Sequence, residues 1–137
     1  MWSALAGLRT CKGEKIGPAP RTANFAIWWD GDLLRELLDG NRIYKWDWQR
    51  GALATLFAPE GVVANNGSKA TPCLSADIFG DWREEVVWRT PDNKQLRIYT
   101  ATIPTKHRFP TLMHDSQYRL SVAWQNVGYN QPPNPSF

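Results

Sequence analysis

The chain has 137 residues, 42% hydrophobic and 21% charged, with a formal net charge of +3, which is the composition of a globular domain and not of a disordered one. Its Lys and Arg are scattered singly, unlike the basic stripes that neutralise nucleic-acid phosphates, and no apolar run approaches the roughly 18 residues of a membrane helix. Neither nucleic acid nor membrane is therefore expected as a partner, while a polyanionic substrate suits the mild positive balance. Cys11 and Cys73 lack the close pairing of zinc or redox sites, so they indicate no metal cluster and leave their disulfide state open. The eight Trp, ten Gly and ten Pro favour short extended segments joined by tight turns, hence an all-β fold.

In chain order, residues 1–23 read as an irregular lead-in, broken by Gly13, Gly17, Pro18 and Pro20. The apolar burst Phe25-Ala-Ile-Trp-Trp29 reads as a buried strand. Trp28, Trp29 and Trp88 are assigned to the core, while Trp46, Trp48 and Trp124 stay open between core and sugar stacking. Self-comparison then matches Gly31, Asp32 and Glu36 to Gly80, Asp81 and Glu85, an offset of 49 residues (80 − 31). Arg42-Ile-Tyr44 matches Arg97-Ile-Tyr99 at an offset of 55 (97 − 42). The longer spacing falls in the Thr90–Gln95 turn, where a hairpin loop lengthens at little cost.

Each repeat reads as strand, Gly-Asp loop, apolar strand, turn and Arg-Ile-Tyr strand, a small antiparallel sheet of propeller-blade type. Leu33–Leu38 has helical propensity, but its aligned partner Trp82–Trp88 is β-rich, and strand is preferred for both. The expected layout is a single partial β-propeller domain, with blade A at 24–60, blade B at 61–104 and a closing segment at 105–137. In the last, Tyr118 to Trp124 alternates like a strand. Two blades do not make a closed ring, so the chain reads as a segment of a larger protein, with Met1 possible as an internal methionine.

The Gly-Asp loops suit a hard cation. In the second, Asp77, Asp81, Glu85 and the Arg83 carbonyl are natural calcium ligands; in the first, Asp30, Asp32 and Glu36 remain, with Trp28 at the first ligand position. The competing reading is that these Asp residues only cap turns. The loops resemble calcium-binding repeats of integrin-type propellers, which favour glycine where Leu33 and Trp82 stand.

Four stretches go further: Asn24 through Asp39, Asn65-Asn-Gly-Ser-Lys-Ala-Thr-Pro-Cys-Leu74, Asp77-Ile-Phe-Gly-Asp-Trp-Arg-Glu-Glu85, and Leu112-Met-His-Asp with Ala123-Trp-Gln-Asn-Val-Gly-Tyr-Asn-Gln-Pro-Pro133. Together they closely resemble the C-terminal part of rhamnogalacturonan lyases of polysaccharide lyase family 11. The resemblance implies a secreted, monomeric, calcium-dependent enzyme folded as an eight-bladed propeller, of which this chain holds about two blades plus closing strands. The implied reaction is β-elimination at the rhamnose-(1→4)-galacturonate bond of the pectin polysaccharide rhamnogalacturonan I. It maps the family's cleft segment onto Asn66, Gly67, Ser68 and Lys69, and a second segment onto Asn126, Gly128 and Tyr129, where Gly128 replaces the usual alanine.

Elimination needs a base near C5 of the uronate and an acid or metal at the departing C4 oxygen. Lys69 and Tyr129 are the candidates for those roles. By composition alone Asn65–Lys69 is an ordinary turn, and His107, His114 and Arg119 read as structural. The rival function is a noncatalytic calcium-binding propeller module that recognises glycans or proteins.

Overall fold

The computed structural model describes residues 7–137, and the stretch 1–6 of the lead-in lies outside the described residues. The lead-in is not wholly irregular: β1 (Leu8–Arg9) and β2 (Lys15–Gly17) form a small antiparallel hairpin. The first repeat is a four-stranded antiparallel sheet of β3 (Phe25–Ile27), β4 (Glu36–Asp39), β5 (Arg42–Asp47) and β6 (Ala52–Phe57), in chain order. The second is a three-stranded sheet of β7 (Leu74–Ala76), β8 (Glu85–Arg89) and β9 (Leu96–Tyr99).

The repeat holds at the level of strand register. Phe25 pairs with Leu38 and Ile27 with Glu36, as Leu74 pairs with Val87 and Ala76 with Glu85. Next along, Leu37 faces Tyr44 and Leu38 faces Ile43, as Val86 faces Tyr99 and Val87 faces Ile98. A register slip of one residue would turn every apolar side chain to the wrong face, so the shared register keeps equivalent residues on equivalent faces; burial differs, since Ile43 is enclosed and its counterpart Ile98 is exposed. Leu33–Leu38 is accordingly not helical: the chain bends through residues 30–34 and enters β4. The inserted residues form the Thr90–Gln95 turn, closed by Thr90 N–H to Gln95 O at 3.0 Å.

One apolar cluster joins the two sheets, combining Phe25, Ile27, Trp29, Leu38 and Ile43 with Val62, Val86 and Trp88. Trp88 is fully enclosed, and its indole N–H donates to Gly40 O at 3.0 Å. That bond settles the one polar atom that burying an indole would otherwise leave unpaired. Trp28, by contrast, is half-buried beside a second cluster of Trp82, Leu112 and Tyr118.

The closing segment departs from the expected strands. It holds a 3-10 turn (Leu112–His114) and a helix, α1 (Ser116–Ala123), followed by an extended tail. Asp115 caps α1, its carboxylate accepting from Tyr118 N at 2.8 Å, which satisfies one of the amides that every helix start leaves open. Tyr118 and Val122, one turn apart, face the second cluster, whereas Leu120 is exposed. Apolar residues at 118, 120, 122 and 124 imitate strand alternation, but only the pair four apart is used for packing.

This helix covers the free edge of β7. The Gln125 side chain accepts from Ser75 N at 2.7 Å and donates to Ser75 O at 2.8 Å, so its amide stands in for a neighbouring strand. Tyr118 Oη accepts from Asp77 N at 3.0 Å. Gln125→Ala would strand a buried amide and a buried carbonyl, and is expected to cost about 2–4 kcal/mol of stability. A urea midpoint equal to that of the unaltered protein would show that β7 does not need this cap.

Candidate functional site

The connection from β6 to β7 carries the Asn65–Lys69 segment. Its base is fixed by Val63 N–H to Arg89 O at 3.0 Å and Asn65 N–H to Thr71 O at 2.8 Å, and Asn66 Oδ1 accepts from Lys69 N at 3.0 Å. Such side-chain turns fold a short segment without strand partners. Ser68 is exposed, and around Gly67 a Cβ would meet no atom within 4 Å, so the apex of the loop stands clear.

The segment after α1 returns to this loop. Asn126 Nδ2 donates to Cys73 O, while Asn130 Nδ2 donates to Pro72 O at 3.1 Å and to Asn126 Oδ1 at 2.8 Å. These bonds continue the capping of the β7 edge begun by Gln125. They also deliver Lys69 its partners: Lys69 Nζ donates to Asn130 O at 2.7 Å and lies 5.1 Å from the centroid of the Tyr129 ring. The two candidate catalytic side chains, 60 positions apart in sequence (129 − 69), thus meet in space.

Tyr129 is 75% exposed, and with Trp124 and Gln131 it borders an open depression of about 290 Å³. Gly128 has φ +72°, a left-handed conformation that glycine adopts without the penalty of a Cβ. Of the predicted residues, Asn126 therefore serves the backbone of β7 as well as flanking Tyr129. Asn130, which the sequence reading passed over, is the hinge of the arrangement; its placement four residues after Asn126 was the only local signal.

His107 and His114 join no acidic or metal-binding cluster among the described residues. Arg119 Nη1 donates to Met113 O at 2.7 Å and His114 O at 3.0 Å, so it ties off the 3-10 turn. Cys11 and Cys73 are both free thiols.

The Gly-Asp loops share a scaffold but not a charge pattern. Glu36 Oε2 accepts from the amides of Trp29 and Asp30, as Glu85 Oε2 accepts from Ile78 and Phe79. Asp32 Oδ1 accepts from Leu34 N, as Asp81 Oδ1 accepts from Arg83 N. In the second loop Asp77 is spent on Gly80 N, Thr111 Oγ1 and Leu112 N, while Asp81 turns to the Arg83 guanidinium. Trp82 in that loop has φ +70°, the conformation for which related loops use glycine, and its buried indole offsets the strain.

Among the described residues, the carboxylates that converge are Asp30, Asp32 and Glu36, within 4.8 Å of one another. Lys45 Nζ sits among them, at 2.5 Å from Asp30 Oδ2, 2.5 Å from Asp32 Oδ2 and 3.1 Å from Glu36 Oε1. As folded, the three carboxylates of the first loop thus face the Lys45 ammonium. Burial works against the Lys45 charge, but the hydrogen bonds to its three carboxylates outweigh it and hold the ammonium above its usual pKa.

Between the repeats lies one enclosed acid. Glu84 accepts from Trp28 N at 2.9 Å and from Tyr118 Oη at 2.8 Å, with Arg35 Nη2 at 3.6 Å, and its own amide donates to Trp28 O at 2.7 Å. Arg35 also stacks over the Trp28 ring at 4.5 Å and donates to Ala26 O and Pro133 O.

Two repeated antiparallel sheets, the Lys69–Tyr129 pair beside a depression, and acidic loops between strands make up the candidate site and its scaffold. Residues 1–137 match the Rhamnogalacturonan lyase family 11, C-terminal domain, and the chain belongs to that family. It is 62% identical over 135 residues to rhamnogalacturonan endolyase YesW of Bacillus subtilis (strain 168), covering 98% of this chain and 22% of that protein. To rhamnogalacturonan exolyase YesX of the same strain it is 60% identical over 140 residues, covering 96% of this chain and 23% of that protein. The crystal structure of YesW superposes with a TM-score of 0.90 at 63% identity, over 96% of this chain and 23% of the other. The Bacillus licheniformis rhamnogalacturonan lyase gives 0.89 at 64%, over 93% and 22%. The chain thus spans less than a quarter of the length of these relatives.

Burial raises the Glu84 pKa to about 7 despite the opposing Arg35 charge, against 4.5 for an exposed glutamate. Folding therefore favours its protonated form, and the stability this confers is present below pH 4.5 and is lost as pH rises through about 7. The slope should amount to about 3 kcal/mol across that window, and Glu84→Gln should flatten it. Parallel stability–pH curves for the two proteins would show that Glu84 does not titrate on unfolding.

Proposed function

We propose that this chain is part of a rhamnogalacturonan lyase in which its two sheets are neighbouring blades of a β-propeller, and in which Lys69 and Tyr129 line the substrate cleft. The observation that carries the reading is the convergence of Lys69 and Tyr129 at 5.1 Å on otherwise unrelated loops, the tyrosine exposed and the lysine half-buried. An ordinary turn lysine has no reason to be drawn onto the carbonyl of Asn130 and the face of an exposed tyrosine.

In this proposal a galacturonate unit of rhamnogalacturonan I lies across the Asn66–Lys69 loop and the depression beside Tyr129. Asn66, Gly67, Ser68, Asn126 and Gly128 border the sugar, the bare Gly67 apex allowing close approach. The Lys69 amine removes the C5 proton, and the Tyr129 phenol donates a proton to the C4 oxygen as its bond to C4 breaks. The electron pair of the C–H bond becomes the C4–C5 double bond, and the product is an unsaturated uronate with a free rhamnose-side chain end. The ammonium that forms on Lys69 as it takes the proton steadies the negative charge building on the uronate carboxylate.

Near-equal identity to an endolyase and an exolyase, 62% and 60%, fits a reading in which internal or terminal cleavage depends on parts of the enzyme beyond this segment. A secreted, monomeric enzyme and a calcium requirement fit the same reading, the calcium being held outside the first acidic loop.

In the full-length protein, Lys69→Ala should lower the appearance of the unsaturated product, followed by its ultraviolet absorbance, by at least about 100-fold, the usual contribution of a general base. Tyr129→Phe should do the same with KM little changed. Turnover retained by Lys69→Ala would remove Lys69 from the chemistry.

A further inference from the structure

The first acidic loop has the oxygen count of a cation site, yet all six carboxylate oxygens are already used. Asp30 Oδ1, Asp32 Oδ1 and Glu36 Oε2 accept from the loop's own amides at Asp32, Leu34 and Trp29. The other three, Asp30 Oδ2, Asp32 Oδ2 and Glu36 Oε1, accept from Lys45 Nζ. An ammonium has three donors and no more, so donors and acceptors match one to one. From these contacts we infer that Lys45 is the resident cation of this loop, a covalently attached replacement for a metal ion, and that the loop takes no calcium while Lys45 is present.

The internal repeat supplies an independent comparison. Extending the Arg-Ile-Tyr alignment by one residue puts Thr100 at the position of Lys45 (45 + 55). Thr100 Oγ1 donates to Glu85 Oε1 at 3.0 Å, the equivalent of the Glu36 oxygen that Lys45 contacts. The position of Asp30 is taken by Phe79 (30 + 49), and the second loop's Asp81 is neutralised by Arg83 instead. Where the third carboxylate is absent, the lysine is absent too. A hydroxyl suffices for one glutamate, whereas three carboxylates within 4.8 Å repel one another and need a cation. Lys45 reaches from β5 to the loop, where its charge meets the three carboxylates.

The test counts calcium bound per molecule of full-length protein by equilibrium dialysis, together with thermal unfolding with and without calcium. Asp30→Asn should leave the count unchanged, because no metal is held there; loss of one calcium ion would overturn the proposal. Lys45→Thr, which leaves three uncompensated carboxylates, should lower the melting temperature, bind one calcium ion more than the unaltered protein, and recover stability when calcium is added. The double substitution Asp30→Phe with Lys45→Thr removes one carboxylate together with the lysine, as the second loop lacks both at these two positions, and should regain stability with no added calcium ion. If Lys45→Thr matches the unaltered protein in both calcium count and melting temperature, Lys45 is not the resident cation. Should Lys45→Thr fail to fold, Asp30→Asn and the double substitution still decide the matter.

Discussion

The unpaired edges of β3 and β7, the first strands of the two sheets, are the constraint on which the rest of this structure depends. A strand at a sheet edge exposes N–H and C=O groups that must find partners once they are buried. Here they find side chains. Arg35 and Glu84 serve the edge of β3, at Ala26 O and Trp28 N. Tyr118, Gln125, Asn126 and Asn130 serve the edge of β7 from Asp77 back to Pro72. Glu84 belongs to the second repeat but caps the first, and Tyr118 bonds both Glu84 and Asp77. The two sheets and α1 are therefore joined through one polar seam flanked by apolar clusters.

That seam also sets the candidate site. Asn126 and Asn130 are bound to the β7 edge, so the residues between them must arch outward. Gly128, at φ +72°, permits the arch, and Tyr129 stands at its exposed end. Lys69 is held to the carbonyl of Asn130, one residue beyond. The spacing of the lysine and tyrosine is thus fixed by backbone capping, and a substitution at Asn126 or Asn130 would act on both through the position of the arch.

Legibility in the sequence followed the range of each interaction. The two sheets could be read because register is a repeated local pattern, and offsets of 49 and 55 place every observed pair of β7, β8 and β9 except Arg89–Leu96 from those of β3, β4 and β5. The helix could not be read from apolar pattern, since Tyr118, Leu120, Val122 and Trp124 alternate. Asp115 as its cap, followed by residues without proline or glycine, was the stronger signal. The Arg35–Glu84 and Gln125–Ser75 contacts join residues about 50 positions apart, at spacings set by tertiary packing alone, and nothing local announces them. Lys45 lies between these cases: aligning one residue further would have paired it with Thr100 and marked the first loop as differently charged.

Both repeats keep the backbone bonds of the acidic loop, through Glu36 and Glu85, while everything attached to that scaffold has diverged. The first carries three carboxylates on a lysine; the second carries a strained Trp82, a Phe79 and an aspartate turned to arginine. In each repeat the glutamate accepts from two successive loop amides, which ties it to the fold of the loop. The remaining acids are free to change as long as charge is compensated within the loop. The position on the neighbouring strand follows this difference in charge, a lysine reaching Glu36 in the first repeat and a threonine reaching Glu85 in the second.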